Sequence, residues 1–222
     1  MTEIETCPRC DKAPPLCVCQ GVEAIDTRLK IVILQHPQEQ DVDLGTARLT
    51  ALHFKKATVK VGLSWPSLGK ALGLKAGEVA DPKRWAVLYL GSAQVAKFPQ
   101  GRTVVALNKK GDPVPDQDEA LKHLHGVIVL DGSWAQAKTL WWRNAWLLKV
   151  RRIALKPARP SRYGNLRREA RREALSTLEA TALLMSELEN KPAISEALHA
   201  TFERLLSAFR ARAKPKAPAP AQ

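Results

Sequence analysis

The sequence predicts an α/β domain: a mostly parallel sheet with helices on both faces, preceded by a small metal-binding module. Three observations lead there. Short continuous apolar runs, suited to strands buried on both faces, alternate with helical periodicities along residues 25–212. One such run, Val127-Ile128-Val129-Leu130, breaks at Asp131-Gly132 and enters a helix at Ser133. A buried strand ending in a carboxylate, a glycine and a helix start is where open α/β sheets place their ligands, although Asp131 could equally serve only to cap that helix. Finally, all four cysteines fall within thirteen residues.

The cysteines form a CxxC (Cys7, Cys10) and a CxC (Cys17, Cys19) inside residues 1–24. A tight turn aims the two thiolates of a CxxC inward, and side chains i and i+2 of an extended CxC share a face. Four sulfurs satisfy tetrahedral zinc and leave no position for a catalytic water, so a zinc here is expected to be structural. A redox CxxC is the competing reading, and the lack of signal-peptide features points to a reducing, cytoplasmic setting that favours metal over disulfides.

The body then reads in order. Leu29 to Leu34 is a first strand, running into His36-Pro37, where His36 suits a structural hydrogen-bonding role better than acid–base work. Thr46 to Phe54 reads as a helix, Ala57 to Leu63 as a second strand ended by Trp65-Pro66, and Arg84 to Leu90 as a buried third strand. Gly91 and Ser92 follow it, and glycine at a strand's carboxyl end lets a ligand approach the backbone. Arg102 to Leu107 is a short strand, 108–118 an exposed loop, and Asp118 to His125 a short helix into the central strand. The helix after Asp131 carries Trp134, Trp141, Trp142 and, beyond it, Trp146; core packing is expected for most of them, base stacking being the alternative. Val150 to Leu155 is the last strand. Ser176 and Thr177 read as a poor capping box, yet a helical period follows until Pro192 stops it. A final helix presents Ile194, Leu198, Phe202, Leu205 and Phe209 on one face. The Pro-, Ala- and Lys-rich tail 213–222 is expected to be disordered.

Charge narrows the partner. The formal net charge is +13, and between Lys138 and Arg172 twelve basic residues meet one acid, Glu169. A patch of that kind suits a polyanion, with nucleic acid the usual one. No apolar run approaches membrane-spanning length.

Taken together, these pieces resemble the DTW-domain family, tRNA-uridine aminocarboxypropyltransferases similar to the SPOUT superfamily. The matching residues are the CxxC and CxC, His36-Pro37-x-Glu39 with Thr46, and Asp131-Gly132-Ser133-Trp134-x-Gln136-Ala137. Tyr163, Arg167, Arg168 and the block Ser176-Thr177-Leu178-Glu179-Ala180 complete the set. Ser133 stands where the family usually has threonine, and Leu90-Gly91-Ser92 departs from its Tyr-Pro-Ser-like form.

The resemblance implies a trefoil-knotted parallel sheet binding S-adenosylmethionine, and transfer of its 3-amino-3-carboxypropyl group to N3 of a tRNA uridine, leaving methylthioadenosine. It implies Asp131 as base, with Ser133 and Trp134 in the catalytic set. Leu90, Gly91, Ser92, Leu130, Gly132, Gln136, Leu175, Ser176, Thr177 and Glu179 would line the S-adenosylmethionine site, Thr177 and Glu179 being equally suited to capping a helix. Arg151, Arg152, Arg159, Arg162, Arg167 and Arg168 would meet tRNA, and Arg167 or Arg168 could instead pair with the donor's carboxylate. An RNA methyltransferase and a non-catalytic zinc-containing RNA-binding protein are the competing readings. Oligomeric state is open between monomer and homodimer.

Overall fold

The computed structural model describes residues 6–89, 95–166 and 175–213. The expectations for Leu90, Gly91 and Ser92, for Arg167 and Arg168, and for the tail from 214 lie outside the described residues.

Six strands form one sheet: β1 (Lys30–Gln35), β2 (Ala57–Val61), β3 (Trp85–Leu88), β4 (Val104–Leu107), β5 (Gly126–Asp131) and β6 (Arg151–Leu155). Their order is β2-β1-β5-β3-β6-β4. All neighbours run parallel except β4, which pairs antiparallel with β6 at the edge. The apolar run 127–130 occupies the middle of the sheet because every residue of β5 is buried and both its neighbours are parallel strands. Gly126 opens this strand because a Cβ there would lie 2.6 Å from the Lys30 carbonyl oxygen and 2.5 Å from the Trp85 ring.

Helices α1 (Ala47–Leu52), α2 (Leu68–Leu72), α3 (Gln117–Lys122), α4 (Trp134–Arg143), α5 (Thr177–Leu188) and α6 (Pro192–Ala213) complete the chain. Alternate strand residues point to opposite faces. Ile31, Ile33, Val127 and Val129 pack under α1, α5 and α6, whereas Val32, Leu34, Ile128 and Leu130 pack under α2 and α4. The N-terminal module shares the first of these cores through Cys10, Leu16 and Cys19. Ile194, Leu198, Phe202 and Leu205 are buried along α6, as its apolar stripe predicts. Pro192 both ends the preceding segment and opens α6, a position where its missing N–H is not needed.

Two expectations need correcting. α2 falls in a stretch given no element by its pattern, where Ser67 caps the start and Gly73, at φ 73°, closes the end. The helix start at Ser176 is a full capping box, since Glu179 stands three residues on and its side chain meets the Ser176 backbone N–H.

Candidate active site at the carboxyl edge of the sheet

The central strands β1 and β5 end together, with Gln35 and Asp131 in register. Asp131 is only 4% exposed. Its carboxylate accepts a hydrogen bond from Gln35 Nε2 at 2.9 Å and another, very short, from Thr177 Oγ1. Thr177 is the first residue of α5, so the N-terminus of that helix, with its positive end, faces the strand end. Gln35 Oε1 is buried without a hydrogen-bond partner. That orientation of the amide follows from Asp131: turning it over would set a carbonyl oxygen against the carboxylate.

The turn after Asp131 is tightly specified. A Cβ at Gly132 would come within 2.8 Å of Gln136 Cβ and 3.4 Å of His36 Cβ. Ser133 then caps α4 in a capping box: its N–H donates to Gln136 Oε1 at 2.6 Å, and its hydroxyl accepts from the Gln136 N–H at 3.4 Å. Gln136 Nε2 continues to Gln38 Oε1 at 3.3 Å. Ser133 and Gln136 are therefore bound up in shaping the turn. Trp134 is half-buried at the first position of α4. The Leu130 side chain lies in the core under α4, so only its backbone can face a ligand. His36 plays the structural part expected of it, its Nδ1 accepting from the Gln38 N–H.

Three distant segments are sewn to this edge by buried polar groups. Thr46 Oγ1 accepts from the Leu178 N–H at 3.2 Å, and Tyr163 donates its hydroxyl to the Leu44 carbonyl at 2.6 Å. The Glu179 carboxylate accepts from Ser161 Oγ, from the Arg162 N–H, and from both the N–H and hydroxyl of Ser176. Both its oxygens are thus engaged in holding the basic loop against α5. Leu175 is half-buried just ahead of the cap.

Residues missed by pattern also converge here. Lys12, 7% exposed, reaches from the cysteine module to the Val42 carbonyl at 2.6 Å. Burial lowers its pKa, opposed by the charges of Asp43, Cys10 and Asp131, so this buried ammonium and Asp131 feel each other. Asn144 is buried below the other end of α4, tying Trp65 and Leu63 to Leu140. No spacing rule marks an isolated buried lysine or asparagine.

The four cysteine sulfurs lie within 4.8 Å of one another. Neighbouring pairs stand at 3.6 Å (Cys7 and Cys19), 3.7 Å (Cys10 and Cys17) and 3.6 Å (Cys17 and Cys19). A tetrahedral site with metal–sulfur bonds of about 2.3 Å has sulfur–sulfur edges of about 3.8 Å, so the cage can hold a metal ion. The Cys10 and Arg9 backbone N–H groups pull the Cys7 pKa down to about 6, while burial pushes Cys10 and Cys19 up. A cation would reverse the latter, because thiolate ligation replaces lost hydration.

The arginines expected to meet RNA differ in their freedom. Arg159 is exposed. Arg151 is exposed with Nε on the Lys83 carbonyl, and Arg162 pairs with Glu203 at 2.7 Å. Arg152 is half-buried against the rings of Tyr89 and Trp141, 5.0 and 5.4 Å from their centroids.

The DTW domain model matches residues 4–210. The chain belongs to the DTW-domain family. It is 27% identical over 205 residues to tRNA-uridine aminocarboxypropyltransferase 2 of Macaca fascicularis, and 25% identical over 205 residues to the protein of that name in Mus musculus. Each of these alignments covers 90% of this chain and 62% of the relative, so the chain spans about three-fifths of their length. The Drosophila melanogaster protein of the same name is 26% identical over 198 residues, covering 86% of this chain and 70% of its own. No solved structure matches. The run Asp131-Gly132-Ser133-Trp134, on which the resemblance to this family rests, is the strand–turn–helix junction at the middle of the sheet.

Proposed function

We propose that this protein transfers the 3-amino-3-carboxypropyl group of S-adenosylmethionine to N3 of a uridine in tRNA, forming acp3U and methylthioadenosine. One observation carries the reading. In a chain whose similar relatives are named for that activity, the family's aspartate sits at the carboxyl edge of a parallel sheet, held between Gln35 and the first residue of α5. The reading retains a SPOUT-like, trefoil-knotted core, a structural zinc on Cys7, Cys10, Cys17 and Cys19, and a cytoplasmic setting. Among the described residues no helix is long and apolar enough to cross a membrane.

Uridine N3 is a weak nucleophile while protonated. Asp131 takes the N3 proton as the N3–C bond forms; the C–S bond breaks, and its electron pair returns to sulfur, turning the sulfonium into a neutral thioether. Gln35 and Thr177 aim the carboxylate. The turn at Gly132 and the cap at Ser133 keep the approach to it narrow and leave Trp134 beside it to wall the site. Because the alternative electrophile, the donor's methyl, differs only in position, selection between them is a matter of how the donor is seated. Lys12 and the α5 N-terminus supply positive potential for the donor's carboxylate, and the basic run from Lys149 supplies it for tRNA phosphates.

The deciding assay uses unmodified tRNA with S-adenosylmethionine labelled separately in the carboxyl and in the methyl group. Carboxyl label in RNA without methyl label is the expected result. Methyl label alone would make the protein a methyltransferase, and tight tRNA binding with neither label would make it a binding protein.

A further inference from the structure

N3 of uridine lies on the edge used in base pairing, so the proposed reaction requires an unpaired target, and an enzyme acting there must hold splayed single-stranded nucleotides. The far end of α4 is built for that. Trp142 is 75% exposed and Leu148 is 51% exposed, the two largest of the exposed hydrophobic side chains among the described residues. Lys138, one turn before Trp142 on the same stripe of α4, is exposed, as are Arg143, Lys149 and Arg151. No acidic residue interrupts the chain from Gly132 to Leu166.

Trp141, the chain neighbour of Trp142, is held in an aromatic cluster. Trp141 packs edge-on against Tyr89 at 5.4 Å, and the Arg152 guanidinium lies against both rings while its Nη1 donates to the Lys109 carbonyl. Tyr89 follows directly on the carboxyl end of β3, where its N–H donates to the Ile153 carbonyl at 2.7 Å. The aromatic cluster thus stands at the carboxyl end of β3, the strand beside β5.

We infer that Trp142, at the end of α4, is a base-stacking anchor for an unpaired nucleotide of the tRNA substrate, with the surrounding lysines and arginines holding the flanking phosphates. This rests on the proposed function. Stacking on an indole replaces the stacking that the nucleotide gives up, and needs no particular base. The concentration of like charge around the ring favours a polyanion over a second copy of this chain, whose matching face would repel it.

The test measures tRNA affinity of the full-length protein at several salt concentrations for the wild type, Trp142→Ala and Trp142→Tyr, with circular dichroism to check folding. Trp142→Ala should weaken binding by about 5- to 150-fold with the salt slope unchanged. Trp142→Tyr should stay within about threefold of the wild type. Wild-type affinity in Trp142→Ala would overturn the inference, as would a loss accompanied by a shallower salt slope, which marks a phosphate contact. So would sedimentation showing that the substitution splits a dimer. Label transfer is read on the same preparations. Transfer with binding indifferent to Trp142 discards the surface and keeps the chemistry; Trp142-dependent binding without transfer does the opposite.

Discussion

Glu179→Gln is the substitution with the most calculable consequence. The carboxylate is 4% exposed and meets four donors: Ser161 Oγ at 2.6 Å, the Arg162 N–H at 2.8 Å, the Ser176 N–H at 2.9 Å and Ser176 Oγ at 2.8 Å. Three of the four fall on one oxygen, Oε2. An amide oxygen placed there keeps those three and turns its NH2 toward the Arg162 N–H, setting donor against donor. Losing a hydrogen bond to a charged group costs about 1.5–3 kcal/mol, and the unsatisfied buried N–H about 1–3 kcal/mol more. Allowing for partial relaxation, a destabilisation of about 3 kcal/mol is expected. With a urea dependence of about 2 kcal/mol per molar, the unfolding midpoint should fall by about 1.5 M with the slope unchanged. Transfer activity should fall further than stability predicts, because the cap at Ser176 sets where Thr177 meets Asp131. A midpoint shift below about 0.3 M would refute the claim that Glu179 is the tie between the basic loop and α5.

Asp131→Asn should lower transfer by about 10²- to 10⁴-fold while tRNA affinity is retained, measured by single-turnover kinetics with carboxyl-labelled donor; a fully active variant would remove Asp131 as base. Gly132→Ala should destabilise by about 1–3 kcal/mol through its contact with Gln136, and a neutral thermal melt would show that the turn yields. Cys17→Ser should lose bound zinc on metal analysis and lower the melting temperature; unchanged metal content would end the zinc assignment. His53 is held neutral, its pKa lowered to about 4 by burial and then by the Arg204 charge. The unfolded chain takes up that proton near pH 6.5, so the contribution is fully present above about pH 6.5 and is lost as pH falls toward 4, by about 3 kcal/mol at most. Urea midpoints across that range should slope in the wild type and flatten in His53→Gln.

The parts of the fold that could be read from the chain were those written in consecutive residues. The run from Val127 to Leu130 needs no partner to declare itself a buried strand, and Ser133 with Gln136 marks a helix start from within four residues. Strand order and the reversed direction of β4 depend on which edges meet, which no local pattern encodes. The site divides the same way. The position of Asp131 at a strand end and the clustering of the cysteines were legible by pattern and spacing, and the role of Glu179 as an anchor was within reach, since it stands three residues after Ser176. Gln35 was hidden at the end of an apolar strand. Lys12 looked like any surface lysine, its burial set by the loop at Val42 that closes over it. Thr46 and Tyr163 were visible as members of a family motif, but their task of binding α5 and the loop near Leu44 appears only once those segments meet.

The hydroxyl of Thr177 meets a carboxylate 46 positions earlier, and the α5 backbone at Leu178 reaches Thr46 across 132 positions. A chain emerging from the ribosome carries Asp131 long before it carries Thr177, whose hydroxyl meets it. Until α5 is made and docked, Asp131 is a carboxylate at an unfinished strand end, in a chain whose basic run from Lys138 to Arg162 is already made. Closure of these long loops is the slow part of folding for contacts of this separation. If the proposed function holds, RNA affinity is expected to precede turnover during synthesis, with α5 docking as the step between them.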